Sequence, residues 1–499
     1  MTDLDFTGPL RDALLSADYT YDGVAGVLGP VAHQALSRNE TTPGLRRTRG
    51  GSPLETLTRL FLLQAPVPTE RAEAALPGLV DRLCNAGLLE QSVSEVAARL
   101  DVRPYADETR DLWVVSDLTP GLDGSPNRVD ADHVLGISSA STSLAQLTLR
   151  APVGRALDLG TGGGVQALHL AEHADHIVAT DVNKRALWMA RLNAELNQVA
   201  DRIDVREGSF FEPVRDETFD LIVTNPPFVI SPATGERLVY RDSGLPGDRV
   251  VEDLVRQAPD RLAPGGWCQL LANWAIERGT PWDERLGSWL DGSCDAFTVQ
   301  REVLDPAAYV ELWLKDAGLE GSEGYVRRYD TWLSWFDEQG VEGIGFGWIN
   351  LRRRDTASGG ANAPVTEFLE WPYDVEQPIA PAIAQWGESA LALAALTDDT
   401  AVLDARLVTR PDVQQETVGV PGLADPEAVV LRQQDGLRRA RKVDTVEAAL
   451  VGACDGELTT GQLLDAIAQL LEVDPVETRK AYLPVVRELV AEGFLVTPS

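Results

Sequence analysis

The segment Asn225-Pro226-Pro227-Phe228 has residue types that can bind a planar NH2 group and hold it for reaction. It follows the apolar stretch 219–223, so we expect it at the carboxyl end of a strand, where open α/β sheets bind ligands. The Asn225 side-chain oxygen and the Pro226 carbonyl can each accept a hydrogen bond from an NH2 group, and two successive prolines restrict the backbone that carries them. Phe228 can stack on a flat amide or ring. These four residues are the candidate catalytic set.

The expected chemistry is substitution at a planar nitrogen. The lone pair of an amide or of an exocyclic aromatic amine is delocalised, so the nitrogen is a poor nucleophile while it stays planar. Two acceptors draw the NH2 group towards a tetrahedral geometry, and holding the reacting atoms close together can contribute roughly 7 to 11 kcal/mol. The reaction needs no metal and no strong general base, because the proton can leave after the new bond has formed.

A glycine-rich turn upstream predicts a site for a nucleotide-like ligand. The stretch 156–159 runs into Gly160-Thr161-Gly162-Gly163-Gly164, where bare backbone allows a ligand to approach before a helix begins. About 20 residues later, Asp181 ends the next predicted strand, and a carboxylate there can accept hydrogen bonds from both ribose hydroxyls. These two features alone suit either a dinucleotide or S-adenosylmethionine.

The spacing of the glycines separates these two cofactors. The dinucleotide fingerprint GxGxxG would place glycine at position 165, where this chain has Val165. S-adenosylmethionine has no pyrophosphate for a helix N-terminus to hold, so a compact run of glycines suits it better. The sequence therefore favours S-adenosylmethionine and disfavours a nicotinamide-dependent oxidoreductase.

Alternating strands and helices must position these motifs. Such alternation predicts an α/β fold with a parallel sheet and helices on both faces. The predicted strands are 155–159, 177–181, 203–206, 219–224 and 268–272, and the helices are 165–173, 184–199 and 249–262. A further strand at 298–303, a helix at 306–317 and a strand at 345–351 follow, the last predicted as an antiparallel strand at the sheet edge.

Residues 154–275 resemble class I S-adenosylmethionine-dependent methyltransferases of the NPPY/F type, through the glycine-rich turn, Asp181 and the Asn-Pro-Pro-Phe segment. They are most similar to the HemK-like release-factor glutamine methyltransferases and the related small-domain RNA methyltransferases. The resemblance implies a Rossmann-like sheet, a turn that holds the aminoacyl part of the cofactor, and an Asn225 segment that holds the target nitrogen. The cofactor-binding residues that it implies are Asp158, Gly160, Thr161, Gly162, Gly163, Asp181, Val182, Ser209, Phe210 and Asn225.

The chain departs from this family at the turn after the third strand. The family often has a Gly-Asp-Leu-Phe-like turn whose aspartate bonds the adenine amine, whereas this chain has Gly208-Ser209-Phe210-Phe211. Ser209 offers an uncharged and weaker hydrogen bond, and Phe210 can pack on the adenine ring instead. The long polar loop 229–250, with Arg237, Tyr240, Arg241 and Asp242, is either a lid that reads the substrate or a solvated loop.

The segments on either side of this domain predict two further domains. Residues 1–120 have helices followed by strand-like segments at 96–102 and 112–115, the order of a winged helix, which suits either a nucleic-acid or partner-binding module or a helical cap or dimerisation domain. The catalytic domain then spans 121–355, with a segment at 134–141 reaching its pocket, and a linker follows at 355–364. Residues 365–499 open with strand-like segments and close with helices at 444–454, 459–471 and 475–492, again in a winged-helix-like order.

Composition limits the partners and the compartment. Lys plus Arg number 44 against 77 for Asp plus Glu among 499 residues, and the net charge of −33 opposes attraction to phosphate backbones. The densest basic cluster is Arg438, Arg439, Arg441 and Lys442. The four cysteines form no CxxC pair, so neither a zinc site nor a disulfide framework is indicated. With no export signal and no apolar run long enough to span a membrane, we expect a cytoplasmic protein.

The leading hypothesis is an N-methyltransferase that uses S-adenosylmethionine and acts on a planar nitrogen. A protein or peptide amide of the glutamine type is favoured over a nucleic-acid base because the chain is acidic. The alternatives are an RNA or DNA base methyltransferase, acting on adenine N6 or guanine N2, and a non-catalytic regulator that binds S-adenosylmethionine. The acceptor, the oligomeric state and any residue that accepts the proton stay open.

Overall fold

The computed structural model describes residues 4–106, 110–125, 129–233, 244–355, 363–419 and 427–498. Its N-terminal part is helical, and one helix begins where a Ser-Pro-Leu-Glu segment predicts a capping box: the Ser52 amide donates to Glu55 Oε2 at 2.8 Å, and the Glu55 amide donates to Ser52 Oγ at 3.3 Å. The elements are α1 Thr7–Ser16, α2 Tyr21–Leu36, α3 Thr42–Arg47, α4 Pro53–Leu57 with a π-helical turn Thr58–Leu62, β1 Val67–Pro68, α5 Thr69–Ala75, α6 Val80–Asn85, β2 Leu89–Gln91, β3 Glu95–Ala98, β4 Leu100–Ala106 and β5 Asp111–Asp117.

The strands of this part form two separate sheets. Strands β1, β3 and β2 make a small sheet, in which β1 precedes α5 and α6 while β2 and β3 follow them. The winged-helix assignment of this part stays a prediction. The single strand predicted at 96–102 is wrong, because β3 ends at Ala98 and β4 begins at Leu100 to pair with β5 in a hairpin of its own. That hairpin shares one hydrophobic core with the N-terminal helices and with the helix at 184–196, through Trp113, Val115 and Leu192.

The central part contains the predicted α/β alternation. Its elements are α7 Ser139–Leu147, β6 Val153–Leu159, α8 Val165–Leu170, β7 Ala174–Asp181, α9 Lys184–Leu196, β8 Ile203–Glu207, β9 Phe219–Thr224, α10 Arg249–Gln257, β10 Leu262–Glu277, α11 Trp282–Gly287, β11 Cys294–Leu304, α12 Pro306–Asp316, α13 Tyr325–Glu338, β12 Val341–Arg353 and β13 Thr366–Glu370, with 3₁₀ turns at Leu122–Gly124, Glu212–Val214 and Ala258–Arg261.

These strands form one eight-stranded sheet that confirms the predicted α/β, Rossmann-like fold class. Its order is β13-β11-β12-β10-β9-β6-β7-β8, and the strands from β6 to β10 are parallel. Strand β6 has β7 on one side and β9 on the other, so the order reverses there. Open α/β sheets bind ligands at such a switch point, at the carboxyl ends of the strands. The glycine turn follows β6 and Asn225 follows β9, so the two motifs end side by side.

The predicted edge strand at 345–351 lies inside the sheet. Strand β12 runs antiparallel between β10 and β11, and the edge is β13, which lies beyond the predicted domain end at 355 and reaches into the predicted C-terminal domain. Glycines explain the interior position: a side chain at Gly345 would collide with Trp274, and one at Gly347 with the Val299 carbonyl. Glycine at these two positions of β12 lets the neighbouring strands and their side chains approach closely.

The C-terminal part packs on the central sheet through a helix that the sequence reading missed. Helix α14 occupies a stretch predicted to be strand-like, and its Trp386 ring stacks on Phe297 of the sheet with centroids 5.0 Å apart. The elements are α14 Ala380–Ala395, α15 Asp399–Asp404, β14 Val408–Thr409, β15 Val413–Val418, β16 Ala428–Gln433, β17 Ala440–Val443, α16 Thr445–Ala453, α17 Thr460–Leu470, α18 Pro475–Ala491 and β18 Leu495–Val496. The three predicted closing helices are confirmed as α16, α17 and α18. Within the described ranges, no helix is long and apolar enough to cross a membrane.

Candidate active site

The glycine turn projects from the carboxyl end of β6 with bare backbone facing open space. The amides of Gly160 and Thr161 donate to the Thr180 carbonyl of the neighbouring strand at 2.9 and 2.8 Å. Gly160, Gly162 and Gly164 have φ values of 74°, 54° and 84°, a backbone that side chains rarely adopt. A Cβ added at Gly160 or Gly162 would meet no atom within 4 Å. The turn therefore leaves room for a ligand to lie directly on its backbone.

Asp158 braces the turn from its buried side. Its side chain is 2% exposed, and Oδ2 accepts hydrogen bonds from Thr161 Oγ1 at 2.5 Å and from the Ala167 amide at 3.0 Å. Burial raises the pKa of Asp158 to about 7, although both hydrogen bonds oppose the shift. The resemblance assigned Asp158 to the cofactor, and the contacts recorded for its carboxylate are with the turn and the first residues of α8.

The raised pKa of Asp158 predicts a pH dependence of stability. Because the native pKa of about 7 lies above the ordinary aspartate value, the folded chain keeps a proton that the unfolded chain has already released. The unfolding free energy should therefore fall as pH rises towards 7 and then level off. Asp158→Asn removes the titration. Between about pH 5.5 and pH 8, the unfolding free energy of the wild type, measured with urea, should therefore fall by roughly 1 to 2 kcal/mol relative to that of this variant. A constant difference across that range would contradict the prediction.

Asp181 ties the end of β7 to the glycine turn. Its Oδ2 accepts from the Gly162 amide at 2.9 Å, and its Oδ1 accepts from the Asn183 amide at 2.8 Å. Burial raises the pKa of Asp181, while these backbone donors oppose the shift. Val182 beside it is 65% exposed at the same edge. A carboxylate at this strand end, with the turn next to it, has the placement expected of a ribose acceptor.

The turn after β8 lies beside Asp181, where the sequence places the adenine. The Gly208 amide donates to the Asp181 carbonyl at 3.0 Å. Ser209 is exposed, and Phe210 is half-buried with a left-handed backbone of φ 45°. A non-glycine residue in that region is uncommon and marks a functional or strained position. The half-buried ring beside exposed Ser209 fits the predicted packing on a flat ligand, which stays a prediction.

Asn225 presents an acceptor oxygen that has no partner among the described residues. Thr224 Oγ1 donates to the Leu159 carbonyl at 2.7 Å and so joins the end of β9 to the end of β6. Asn225 Oδ1 is buried and has no hydrogen-bond partner in the part of the chain that the structure describes. Leaving such an oxygen unpaired costs free energy, so its position at the strand end next to the glycine turn is consistent with a donor that arrives with a ligand.

Aromatic residues form the wall next to the Asn-Pro-Pro-Phe segment. Pro226 is buried and Pro227 is half-buried. The Phe228 ring meets the Trp313 ring of α12 edge-on, with centroids 6.3 Å apart. Tyr309 of the same helix is fully buried, and its hydroxyl accepts from the Ile230 amide at 2.9 Å. The sequence reading missed this wall, although the many aromatic residues of 309–336 were a visible signal.

The loop that follows is anchored at both ends. The Gly247 amide donates to the Ser231 carbonyl at 3.1 Å. Buried Asp248 accepts from the Ala275 amide at 2.8 Å and pairs with the Arg285 guanidinium at 2.7 and 2.8 Å. Four residues predicted to form a lid or substrate reader lie outside the described residues: Arg237, Tyr240, Arg241 and Asp242.

The segment predicted to reach the pocket lies against the glycine turn. The Val134 amide donates to Asp117 Oδ2 at 2.7 Å, and a Cβ added at Gly163 would come within 3.7 Å of the Val134 side chain. Further along, the Ser141 carbonyl accepts from Gln166 Nε2 at 2.7 Å. This segment is thus held between the N-terminal hairpin and the start of α8, beside the ligand-facing turn.

Comparison with protein families covers all three parts of the chain. Residues 136–288 match the family described as methyltransferase small domain. Residues 16–99 match a domain of unknown function (DUF7059), and residues 384–497 match another (DUF7782).

Three relatives illustrate the range of similar proteins. The release factor glutamine methyltransferase of Geobacter sulfurreducens is 34% identical over 165 residues, which cover 30% of this chain and 55% of that protein. The ribosomal protein uL3 glutamine methyltransferase of Bradyrhizobium diazoefficiens is 35% identical over 124 residues, covering 23% of this chain and 39% of that protein. The tRNA1(Val) (adenine(37)-N6)-methyltransferase of Parabacteroides distasonis is 36% identical over 146 residues, covering 28% and 56%.

The chain spans only 39% to 56% of the length of these three relatives. The family match at residues 136–288 agrees with the structure of this region. The parallel sheet has its switch point between β6 and β9, and the two motifs lie at the carboxyl ends of those strands. Residues 136–288 of this chain therefore form a class I methyltransferase domain of the methyltransferase small domain family, similar to the release factor glutamine methyltransferases.

Proposed function

We propose that this chain is an S-adenosylmethionine-dependent N-methyltransferase whose acceptor is a primary amide of the glutamine type in a protein. The observation that carries the proposal is the buried Oδ1 of Asn225 at the carboxyl end of β9, which has no partner among the described residues and lies next to the strand end from which Gly160 and Gly162 project. Two of the relatives named above are glutamine methyltransferases by name, which supports an amide acceptor. We also propose a macromolecular acceptor that the flanking parts, 1–120 and 365–499, help to select.

The glycine turn and its neighbours fit the cofactor. The open space above Gly160 and Gly162 would take its aminoacyl part, Asp181 would accept from the ribose hydroxyls, and Ser209 and Phe210 would contact the adenine; the open backbone and the placement of Asp181 beside the turn support these roles. When bound, S-adenosylmethionine supplies a sulfonium methyl group: the acceptor lone pair forms the N–C bond, the C–S electrons pass to sulfur, and the nitrogen loses one proton.

The work of the protein is to orient the acceptor nitrogen. Asn225 Oδ1 and the Pro226 carbonyl accept its two N–H groups, which turns the lone pair out of conjugation with the carbonyl or ring. Phe228, held by Trp313, provides a flat surface for the acceptor group. Because Asn225 Oδ1 is buried, water does not compete with the substrate for this acceptor oxygen.

A nucleic-acid base is the second candidate acceptor, because one relative is a tRNA adenine methyltransferase by name. The predicted basic cluster gives it little support. Arg439 pairs with Glu367 at 2.7 Å, and Arg441 pairs with Glu447, Glu488 and Glu492 at 3.0, 2.7 and 3.1 Å. These cations are therefore neutralised by the chain itself, and the net charge of −33 opposes phosphate binding.

Two measurements on the purified full-length chain test the proposed function. Calorimetry should show binding of S-adenosylhomocysteine and none of NADH. The methyl group of labelled S-adenosylmethionine should then enter the protein fraction of a cell extract, with the Asn225→Ala variant as the control. Label in RNA or in small molecules would overturn the amide acceptor, and binding of the cofactor without any transfer would favour the non-catalytic regulator.

A further inference from the structure

Two buried asparagines of α9 hold the open edge of β5. Asn193 and Asn197 are 0% and 7% exposed. Asn193 Oδ1 accepts from the Val115 amide at 2.7 Å and its Nδ2 donates to the Val115 carbonyl at 2.9 Å; Asn197 makes the same two bonds with Trp113, at 2.9 and 2.8 Å. Residues four apart on a helix rise about 6 Å, and residues two apart on a strand about 7 Å, so the two side chains match the two strand positions.

The two asparagines differ in the target of their second amide hydrogen. Asn197 Nδ2 returns to its own helix and donates to the Asn193 carbonyl at 2.8 Å. Asn193 Nδ2 leaves the helix and donates to the Gly163 carbonyl at 2.8 Å. Asn193 therefore joins the helix, the N-terminal hairpin and the glycine turn through one side chain.

The Gly163 carbonyl is a point at which the turn needs support. Gly163 lies between Gly162 and Gly164, whose φ values are 54° and 84°. Consecutive glycines lose much conformational entropy when they become ordered, so such a turn has many competing conformations. Asp181 holds the Gly162 amide at 2.9 Å, and Asn193 holds the carbonyl of the next residue.

Strand β5 is in turn tied to the N-terminal helices. Trp113 is fully buried, and its Nε1 donates to the Tyr19 carbonyl at 2.7 Å. The Arg11 guanidinium lies 5.0 Å from the centre of the Trp113 ring, and it also donates to the Leu196 carbonyl at 3.2 Å. A continuous set of contacts thus runs from the N-terminal helices through β5 to the glycine turn.

We propose that Asn193 is a positioning residue for the cofactor. It keeps the glycine turn in its binding-competent conformation and makes that conformation depend on the docked N-terminal hairpin. The inference rests on the proposed function, since it requires that the turn hold S-adenosylmethionine. If only a fraction of the molecules has a competent turn, the apparent Kd for the cofactor equals the intrinsic Kd divided by that fraction. The rate of the enzyme at saturating cofactor is unchanged.

The matched pair Asn193→Ala and Asn197→Ala tests the inference. Both variants lose the same atoms and the same pair of bonds to β5, and only the first loses the bond to Gly163. We expect Asn193→Ala to raise the Kd for S-adenosylhomocysteine, and the KM for S-adenosylmethionine, about tenfold more than Asn197→Ala does, with kcat at saturating cofactor within about twofold of wild type. Equal Kd values for the two variants would show that Asn193 only clamps the strand, and a loss confined to kcat would also overturn the inference.

Hydrogen exchange in the wild-type chain provides a test that does not depend on the folding of either variant. Coupling between two sites is reciprocal, so bound cofactor must stabilise the contacts of Asn193 if these contacts stabilise the cofactor site. S-adenosylhomocysteine should slow exchange of the Val115 amide, which bonds Asn193, at least about threefold more than exchange of the Trp113 amide, which bonds Asn197. Equal effects on the two amides would contradict the coupling. Failure of the wild type to bind S-adenosylhomocysteine at all would instead contradict the proposed function.

Discussion

Asn225→Ala should lower kcat by about 10² to 10³-fold and leave the Kd for S-adenosylhomocysteine within about twofold of wild type. Asn225 Oδ1 is a buried acceptor without a partner in the described chain, so it is available to the acceptor nitrogen. Its loss leaves one of the two N–H groups without an acceptor, and the lone pair then stays conjugated. The glycine turn keeps the hydrogen bonds to Thr180 and Asp181 that order it, because none of them involves Asn225.

The measurement is single-turnover methyl transfer at saturating cofactor, together with calorimetry of S-adenosylhomocysteine. Asn225→Asp serves as the matched variant because it retains an acceptor oxygen of the same reach, and it should keep more activity than Asn225→Ala. A variant that loses cofactor affinity as much as turnover would place Asn225 in the cofactor site instead. Unchanged turnover in Asn225→Ala would remove the main support for the proposed function.

Asp181→Ala should have the opposite signature, a Kd for S-adenosylhomocysteine raised by about 100-fold or more. The carboxylate accepts from the Gly162 and Asn183 amides at 2.9 and 2.8 Å, and it is the proposed acceptor for the ribose hydroxyls. Hydrogen bonds to a charged group contribute roughly 1.5 to 3 kcal/mol each, so the loss of both turn support and ribose contact amounts to about two decades of affinity.

Asp204→Ala is the control for this substitution. Asp204 is a carboxylate of the neighbouring strand β8 that pairs with Arg206 at 2.8 Å and has no recorded bond to the glycine turn. Calorimetry should show little change in that variant, and thermal unfolding should show that both variants are folded. If Asp181→Ala binds S-adenosylhomocysteine as well as Asp204→Ala does, the ribose assignment is wrong. The contrast between Asn225 and Asp181 would also separate acceptor orientation from cofactor binding as two independent tasks.

Local sequence was sufficient for the central fold class and for the strand ends at which the two motifs lie. The glycine turn, Asp181 and Asn225 each follow an apolar strand, and in a parallel sheet the carboxyl ends of neighbouring strands lie at one edge. One helix start was equally local: Ser52 with Glu55 forms the capping box that its spacing indicates. These features depend on neighbours within a few positions, which is why a single sequence contains them.

Other features depend on contacts between distant positions. The interior place of β12 was visible only once Gly345 and Gly347 lay against Trp274 and Val299. Helix α14 was missed in the opening of the C-terminal part, and its Trp386 packs on Phe297, a residue 89 positions earlier in the chain. The cluster at Arg439 and Arg441 looked free in sequence, yet acidic side chains up to 72 positions away neutralise it.

The sequence by itself determined the fold class of the methyltransferase domain and predicted its site, because both depend on short motifs that follow apolar strands. Only the tertiary structure showed that Asn225 Oδ1 is buried without a partner among the described residues and that Asn193 joins the N-terminal hairpin to the glycine turn. Both facts concern hydrogen-bond partners, and those of Asn193 lie 30 and 78 positions away along the chain. Pairings at such separations are set by how whole elements pack, which residue spacing does not encode.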